Sequence, residues 1–388
     1  MSTLNILPQS SFEDEDAIVP YYKQHYFYRR PNNILHEREI ISPQELIRKF
    51  PLSLSSHNFV SQSRKTIVDI LNGRDPRLLV IVGPCSIHNL DAAREYGEKL
   101  KLLSDKVSES FFIVMRNYFE KPRTTVGWQG LINDPYMDNS FCIEDGLILA
   151  RKLLSELSSI GLPTAIEALD TLIPKYLQDL VSWTAVGART TESQPHRKFA
   201  SSLDCAVGFK NSTDGSVDAA VNSIIASKVG GHFLNINENG NLVVTTSQGN
   251  PHAHIILRGG ANGPNYSAEH IINVEATLYK KMLPDCIVVD CSHDNSAKNP
   301  SNQLVVVNDV KQQILSGNKS IKGIMLESNL QWGNQCIGDD LSAILPGLSV
   351  TDACIDWQTT EDLLLKLKDS LQFSLLNRFR LQNSKHSD

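Results

Sequence analysis

The chain has 388 residues, 41% of them hydrophobic and 21% charged, with 37 basic against 43 acidic side chains and a net charge of −6. That length allows two ordinary domains or one large α/β barrel with additions, and the composition is that of a soluble globular protein. Without a basic excess to neutralise backbone phosphates the chain is not a general nucleic-acid binder, and no apolar run approaches the roughly 18 residues of a membrane-spanning helix.

The first residues, MSTLNILPQSSFEDEDAIVP, are acidic and lack a basic stretch followed by an apolar core, so no secretory or organellar signal is expected. Seven cysteines are scattered without a CxxC pair, which suits reduced thiols and a cytoplasmic location. Residues 1–60 read as an N-terminal extension, a regulatory or oligomerisation arm. It holds the Tyr-rich stretch YYKQHYFYRR at 21–30 and a short helix at 42–50, with Ser42 as N-cap, Pro43 at N1 and Glu45 at N3.

Residues 61–376 read as one catalytic domain. From Leu78 a short apolar run alternates with an amphipathic stretch, and eight runs read as strands: 78–83, 111–116, 163–168, 183–188, 204–209, 253–258, 286–291 and 322–327. Helical stretches at 91–103, 143–160, 174–181, 217–228, 267–282, 302–316 and 360–375 follow most of them. Near-continuous apolar strands separated by helices mean a buried parallel sheet, and eight such units predict a (β/α)8 TIM barrel. An open doubly wound sheet is the alternative, but no GxGxxG turn follows the first strand. Residues 232–247 read as a β-hairpin inserted between strands 5 and 6, and 377–388 as a flexible tail.

In such a barrel the chemistry sits at the C-terminal ends of the strands. Those ends offer Cys85, Arg116 followed by Lys121, Arg123, Thr124 and Thr125, then Glu167, Ala188-Arg189, Lys210, Arg258, His293 and Glu327, with Asp352 beyond. Cys85, His293, Glu327 and Asp352 supply one sulfur, one nitrogen and two oxygen donors, a set suited to Mn²⁺, Fe²⁺, Co²⁺ or Zn²⁺. Counting along the seventh run puts His293 on the same face as Ile287, Val289 and Cys291. The cations Arg116, Lys121, Arg123, Arg189, Lys210 and Arg258 would repel one another in a shared mouth, so at least two phosphate or carboxylate groups are expected as ligands.

GPCSIH (83–88), MRNYFEKPRTTVGWQGLINDP (115–135), GARTTESQ (187–194), VGFKN (207–211), HIILRGG (254–260), DCSH (290–293), LES (326–328) and TDAC (351–354) resemble the motifs of type I 3-deoxy-D-arabino-heptulosonate 7-phosphate (DAHP) synthase. The resemblance runs from about Ser42 to Leu367. It implies a condensation of phosphoenolpyruvate with erythrose 4-phosphate and water, releasing phosphate, on a barrel with one divalent metal, Mn²⁺ first among the candidates. It further implies Cys85, His293, Glu327 and Asp352 as metal ligands. Arg116, Lys121, Arg189, Lys210 and Arg258 would hold phosphoenolpyruvate, Lys121, Arg123 and Thr124 the erythrose phosphate, and Ala188 would be a further substrate-binding residue. Lys121, Glu167, His293 and Asp352 would be the catalytic group.

The resemblance also implies a homodimer or homotetramer, and feedback regulation by an aromatic effector near the third-to-fifth strand loops, the hairpin and the arm. Relatives commonly read Thr-Pro-Gln-Tyr where this chain has Ile173-Pro174-Lys175-Tyr176. Relatives sensitive to Phe or Tyr usually carry a small residue six before the strand-five lysine, where this chain has Asp204. The added charge leaves the effector unassigned. Two other function classes fit parts of the pattern: a class I aldolase with Lys210 as a Schiff base, and a non-catalytic metabolite-binding barrel.

Overall fold

The structure is a computed structural model and describes residues 33–34, 36–123 and 127–383. Thr124, Thr125, the Tyr-rich stretch at 21–30 and residues 384–388 lie outside the described residues. The chain divides into two compact units, residues 1–40 and 41–388. The described residues of the first unit form no helix or strand. The second unit thus starts at residue 41 rather than near 61, because two helices ahead of the barrel belong to it.

The first of these, α1 (Pro43–Lys49), forms as its sequence dictates. The Ser42 hydroxyl accepts the Glu45 N–H and the Glu45 carboxylate takes the Ser42 N–H in return, with Pro43 in the first turn. The second, α2 (Leu54–Leu71), was not anticipated. It buries Ile67, Ile70 and Leu71 among barrel-interior residues that include Leu79, Val114, Ala206 and Val288. It therefore lies under the barrel, at the end where the strands begin.

Eight parallel strands close on themselves. They are β1 (Leu78–Gly83), β2 (Phe111–Arg116), β3 (Thr164–Glu167), β4 (Trp183–Val186), β5 (Ala206–Lys210), β8 (Ala253–Leu257), β9 (Ile287–Asp290) and β10 (Ile321–Glu327). Closure is made by β1, which pairs with β2 on one side (Val80 with Ile113) and with β10 on the other (Val82 with Leu326). Each expected run overlaps one of these strands with bounds within two residues, β5 running on to Lys210 and β10 starting one residue early at Ile321. Helices α3 (Leu90–Val107), α4 (Ile143–Ser159), α5 (Pro174–Leu177), α6 (Gln194–Ala200), α7 (Asp218–Lys228), α8 (Ala268–Lys280), α9 (Pro300–Leu315) and α10 (Trp357–Asn383) lie between or after the strands. The last runs past residue 376, where a flexible tail was expected to begin.

The expected hairpin is β6 (Gly231–Ile236) against β7 (Leu242–Ser247), antiparallel, with Asn237 N–H donating to Asn241 and Gly240 at a positive φ of 83° in the turn. Its tip meets the first turn of α1, where the Gln44 N–H donates to the Glu238 carbonyl at 2.8 Å. Among the described residues no helix is long and apolar enough to cross a membrane.

The buried side chains separate into two sets by strand parity. Leu79, Ile81, Val114, Ala165, Trp183, Ala185, Ala206, Ile256, Cys286, Val288 and Met325 fill the barrel interior. Their neighbours, such as Val80, Ile113, Val207, Ile287 and Val289, pack outward against the helices. A period of two fixes this division, and it also fixes what each strand presents at its upper end.

Candidate active site

Carrying the interior set two residues onward gives Arg116 after Val114, Glu167 after Ala165, Arg258 after Ile256, Asp290 after Val288 and Glu327 after Met325. Ala206 leads through Gly208 to Lys210 in the same way. The apolar core of the barrel therefore ends upward in a layer of charges. Arg116 and Glu327 meet there at 2.8 Å with side-chain exposures of 1% and 2%. The Arg116 guanidinium lies 3.7 Å over the Tyr118 ring and donates to the Pro84 and Cys85 carbonyls. Its Nη1 is buried without a hydrogen-bond partner. Gln303 grips the backbone of Glu327 at both N–H and C=O, each at 2.9 Å. Gly83 is required by close packing, since a Cβ there would stand 2.7 Å from the Arg116 carbonyl.

Cys85, Glu327 and Asp352 bring a sulfur and two carboxylate oxygens within 4.8 Å of one another. The loops that carry Cys85 and Asp352 are tied together by Ser86 Oγ and Thr351 Oγ1, 2.7 Å apart. Burial, reinforced by Glu327, pushes the Cys85 thiol up to about 11, and Lys121 Nζ approaches its sulfur at 3.1 Å. A thiol so placed stays protonated at neutral pH until a cation displaces its proton, as expected of a metal ligand. Burial also raises the Glu327 carboxyl, but His293, Arg116 and Lys121 outweigh it and hold the group below its ordinary value.

His293 does not join this set by strand parity, and that reading is corrected. Ile287, Val289 and Cys291 face outward to the helices, and the ring is brought round by a tight turn in which His293 itself has φ 54°. Its Nε2 lies 3.7 Å from Glu327 Oε1. Its Nδ1 lies 2.8 Å from Ser292 Oγ and 2.9 Å from Asp290 Oδ2, while the Ser292 hydroxyl donates to Asp290 Oδ1 at 2.6 Å. Since the hydroxyl's proton is used on Asp290, the Nδ1 side carries a ring proton, and in the neutral form of the ring Nε2 is the nitrogen left with a lone pair for a Lewis acid. Among the described residues the donor atoms that gather are the Cys85 sulfur and the Glu327 and Asp352 carboxylates, a sulfur and oxygen set that fits a divalent cation, with His293 beside Glu327 but outside that group.

Two adjoining cavities open above this layer. The inner, ≈ 270 Å³, is lined by Lys121, Arg123, Glu167, Gly187, Ala188, Arg189, Lys210, Arg258, His293, Lys298 and Asp352. The outer, ≈ 1000 Å³, shares Lys121, Pro122, Arg123, Leu169, Thr351 and Asp352 and adds Glu120, Trp128, Phe141 and Cys336 among others. Lys210 Nζ lies 3.1 Å from Asp290 Oδ2, and Arg258 is ion-paired with Asp294. An amine so paired is arranged to attract an anion rather than to attack a carbonyl, which counts against the Schiff-base reading of Lys210.

Of the residues named from sequence, Cys85, Arg116, Lys121, Arg123, Glu167, Ala188, Arg189, Lys210, Arg258, His293, Glu327 and Asp352 all come to this one mouth. Thr124 lies outside the described residues. Asp290, Asp294 and Lys298 were missed. Lys298 follows Ala297, and with φ values of 51° and 58° the two turn the chain back so that Lys298 N–H donates to the His293 carbonyl at 2.7 Å. No residue pattern announces such a turn, whereas Asp290 was available from the two-residue count through Cys286 and Val288.

A closed parallel barrel whose mouth combines a cation-ligand set with a ring of positive side chains defines a metal-assisted enzyme for anionic substrates. The profile of the DAHP synthetase I family matches residues 49–365. The Tyr-sensitive phospho-2-dehydro-3-deoxyheptonate aldolase of Escherichia coli K12 is 50% identical over 346 residues, 89% of this chain and 97% of that protein. The Trp-sensitive enzyme of Salmonella typhimurium is 48% identical over 328 residues, 84% and 94% of the two chains. The solved structure of the phospho-2-dehydro-3-deoxyheptonate aldolase of Francisella tularensis superposes with a TM-score of 0.85 at 45% identity, covering 88% of this chain and 99% of that one. The chain belongs to the DAHP synthetase I family.

Proposed function

We infer that this chain is a DAHP synthase, a transferase that condenses phosphoenolpyruvate with D-erythrose 4-phosphate and water to give DAHP and phosphate. This is the first step of the shikimate pathway to chorismate and the aromatic amino acids. The observation that carries the reading is the cation-lined pair of cavities meeting the Cys85, Glu327 and Asp352 donors in a chain of this family.

The inner cavity takes phosphoenolpyruvate. Arg116, Lys121, Arg189, Lys210 and Arg258 offset its carboxylate and phosphate, and the Ala188 backbone offers a further contact. The outer cavity takes erythrose 4-phosphate, with Arg123 and Lys121 on its phosphate. Lys121 lines both cavities and so orients one substrate against the other. C3 of phosphoenolpyruvate attacks the aldehyde carbon, water adds at C2, and the C2–oxygen bond to phosphate then breaks. Glu167 and Asp352, both at the inner cavity, are the candidates to take the proton from that water.

Cys85, His293, Glu327 and Asp352 would hold one divalent cation, Mn²⁺ first, with Fe²⁺, Co²⁺ or Zn²⁺ as alternatives. Bound there, the cation supplies Lewis-acid polarisation of the aldehyde.

Feedback regulation by an aromatic amino acid is part of the proposal, supported by relatives named Tyr-, Phe- and Trp-sensitive. A ≈ 340 Å³ cavity lined by Leu172, Lys198, Phe199, Phe233 and Asn235, between the loop after β3, α6 and the hairpin, is the candidate effector pocket. Asp204 lies in the turn before β5, 3.9 Å from Arg64. A homodimer or homotetramer, with the N-terminal arm contributing, is supported by the exposed apolar side chains Leu234, Leu242 and Val244 on the hairpin. Cytoplasmic action is supported by seven unpaired cysteines.

The direct test is turnover of the two phosphorylated substrates by purified protein, together with Arg123→Ala. The variant should raise KM for erythrose 4-phosphate by about tenfold or more, as loss of a charged phosphate contact implies, with phosphoenolpyruvate little changed. Arg123 lines both cavities, so equal losses for both substrates would refute its assignment to the erythrose phosphate alone.

A further inference from the structure

Asp290 ends β9 with no exposed surface. Its Oδ1 is satisfied at once by the Ser292 N–H at 3.1 Å and the Ser292 hydroxyl at 2.6 Å. Its Oδ2 stands 2.9 Å from His293 Nδ1 and 3.1 Å from Lys210 Nζ. Both approach at ion-pair distance but off the hydrogen-bond line, so that oxygen has no hydrogen-bond partner of good geometry. One buried oxygen thus faces a residue of the cation set and a residue of the anion cavity, while Asp290 belongs to neither.

We propose that Asp290 is a positioning residue that couples the two halves of the site, fixing His293 with Nε2 toward the cation and Lys210 toward the phosphoenolpyruvate anion. This rests on the reading above of His293 as a ligand and Lys210 as an anion contact. The physical reason is that a second-partner carboxylate fixes a ligating imidazole's tautomer and orientation. The same negative charge makes it tolerable to bury an ammonium group beside Arg116 and Arg258. Ser292 completes the device. It pins the carboxylate from one side and the imidazole from the other, but no contact with Lys210 is seen for it.

The test uses the full-length, metal-free protein in two titrations that need no turnover: Mn²⁺ alone by calorimetry, and phosphoenolpyruvate alone by tryptophan fluorescence. Asp290→Asn should weaken both affinities by about tenfold or more, the size of effect expected when such a partner is removed from a metal-ligating histidine. Ser292→Ala, which keeps the charge, should weaken Mn²⁺ and leave phosphoenolpyruvate unchanged. His293→Ala and Lys210→Met serve as references, the first weakening only Mn²⁺ and the second only phosphoenolpyruvate.

If the references behave so and Asp290→Asn alters one affinity or neither, the coupling is overturned. If His293→Ala leaves Mn²⁺ unchanged, or Lys210→Met leaves phosphoenolpyruvate unchanged, the site reading itself has failed. Circular dichroism checks folding. Should Asp290→Asn not fold, Asp290→Glu keeps the charge at a different reach and should weaken both ligands together, and wild-type affinity for either would overturn the proposal.

Discussion

Gly187 offers a sharp test of where Glu167 must stand. The glycine lines the inner cavity, and a Cβ at its position would lie 2.3 Å from Glu167 Oε1, with Thr190 Oγ1 at 3.6 Å. A carbon and an oxygen in contact need about 3.3 Å or more, so Gly187→Ala pushes the carboxylate away by about 1 Å. The obstacle is the end of a flexible side chain, and the backbone at Gly187 is not in the left-handed region. The fold should therefore accommodate the methyl with a stability change of about 1 kcal/mol or less, aided by the smaller freedom of alanine in the unfolded chain. Catalysis should not be so tolerant. Misplacement of a reacting group by about 1 Å costs on the order of 100-fold, or about 2.7 kcal/mol of barrier. Steady-state kinetics with both substrates, beside a thermal melt, separates the two effects. A variant with wild-type Tm and kcat within threefold of wild type would refute the claim that the position of Glu167 matters to the chemistry.

The other expectations concern the mouth. Removing metal with EDTA should abolish turnover and Mn²⁺ should restore it; full activity in metal-free protein would remove the cation from the reaction. Lys298→Ala should raise KM for one phosphorylated substrate by about tenfold with kcat nearly unchanged, and an unaltered KM would exclude Lys298 as an anion contact. Glu120, in the wall of the outer cavity, is raised from 4.5 to about 8 by burial first and then by Asp170, with Glu167 adding to it. An acid raised on folding stabilises the fold below its unfolded value and loses that contribution as pH climbs through the folded one. Glu120→Gln should therefore match the wild type near pH 4 and be the more stable protein near pH 9, by as much as about 5 kcal/mol. Parallel melting curves across that range would count against the buried acid.

Much of the fold and site was legible because strand parity carries both. The period that buries Val114, Ala165, Ile256 and Met325 also sends Arg116, Glu167, Arg258 and Glu327 to the mouth, so core and chemistry share one pattern. What failed lies where the chain leaves that period. His293 is set by a left-handed turn, and Lys298 by two successive left-handed residues, geometries that non-glycine side chains do not advertise. Helix α2 was hidden because its inward face mixes Ser56 and Ser63 with Val60, Ile67 and Ile70, which blurs the apolar stripe. Asp290 stands on the two-residue count as well, but its place beside Lys210 and His293 follows from strand pairing and a turn that join residues far apart in the chain.

Helix α2 also decides the traffic. With Ile67, Ile70 and Leu71 plugging the lower end and packed side chains filling the shaft, both cavities lie at the upper end of the barrel. Whatever enters to react and whatever is released must therefore use the same end of the molecule. The stopper at the far end leaves the barrel one working face.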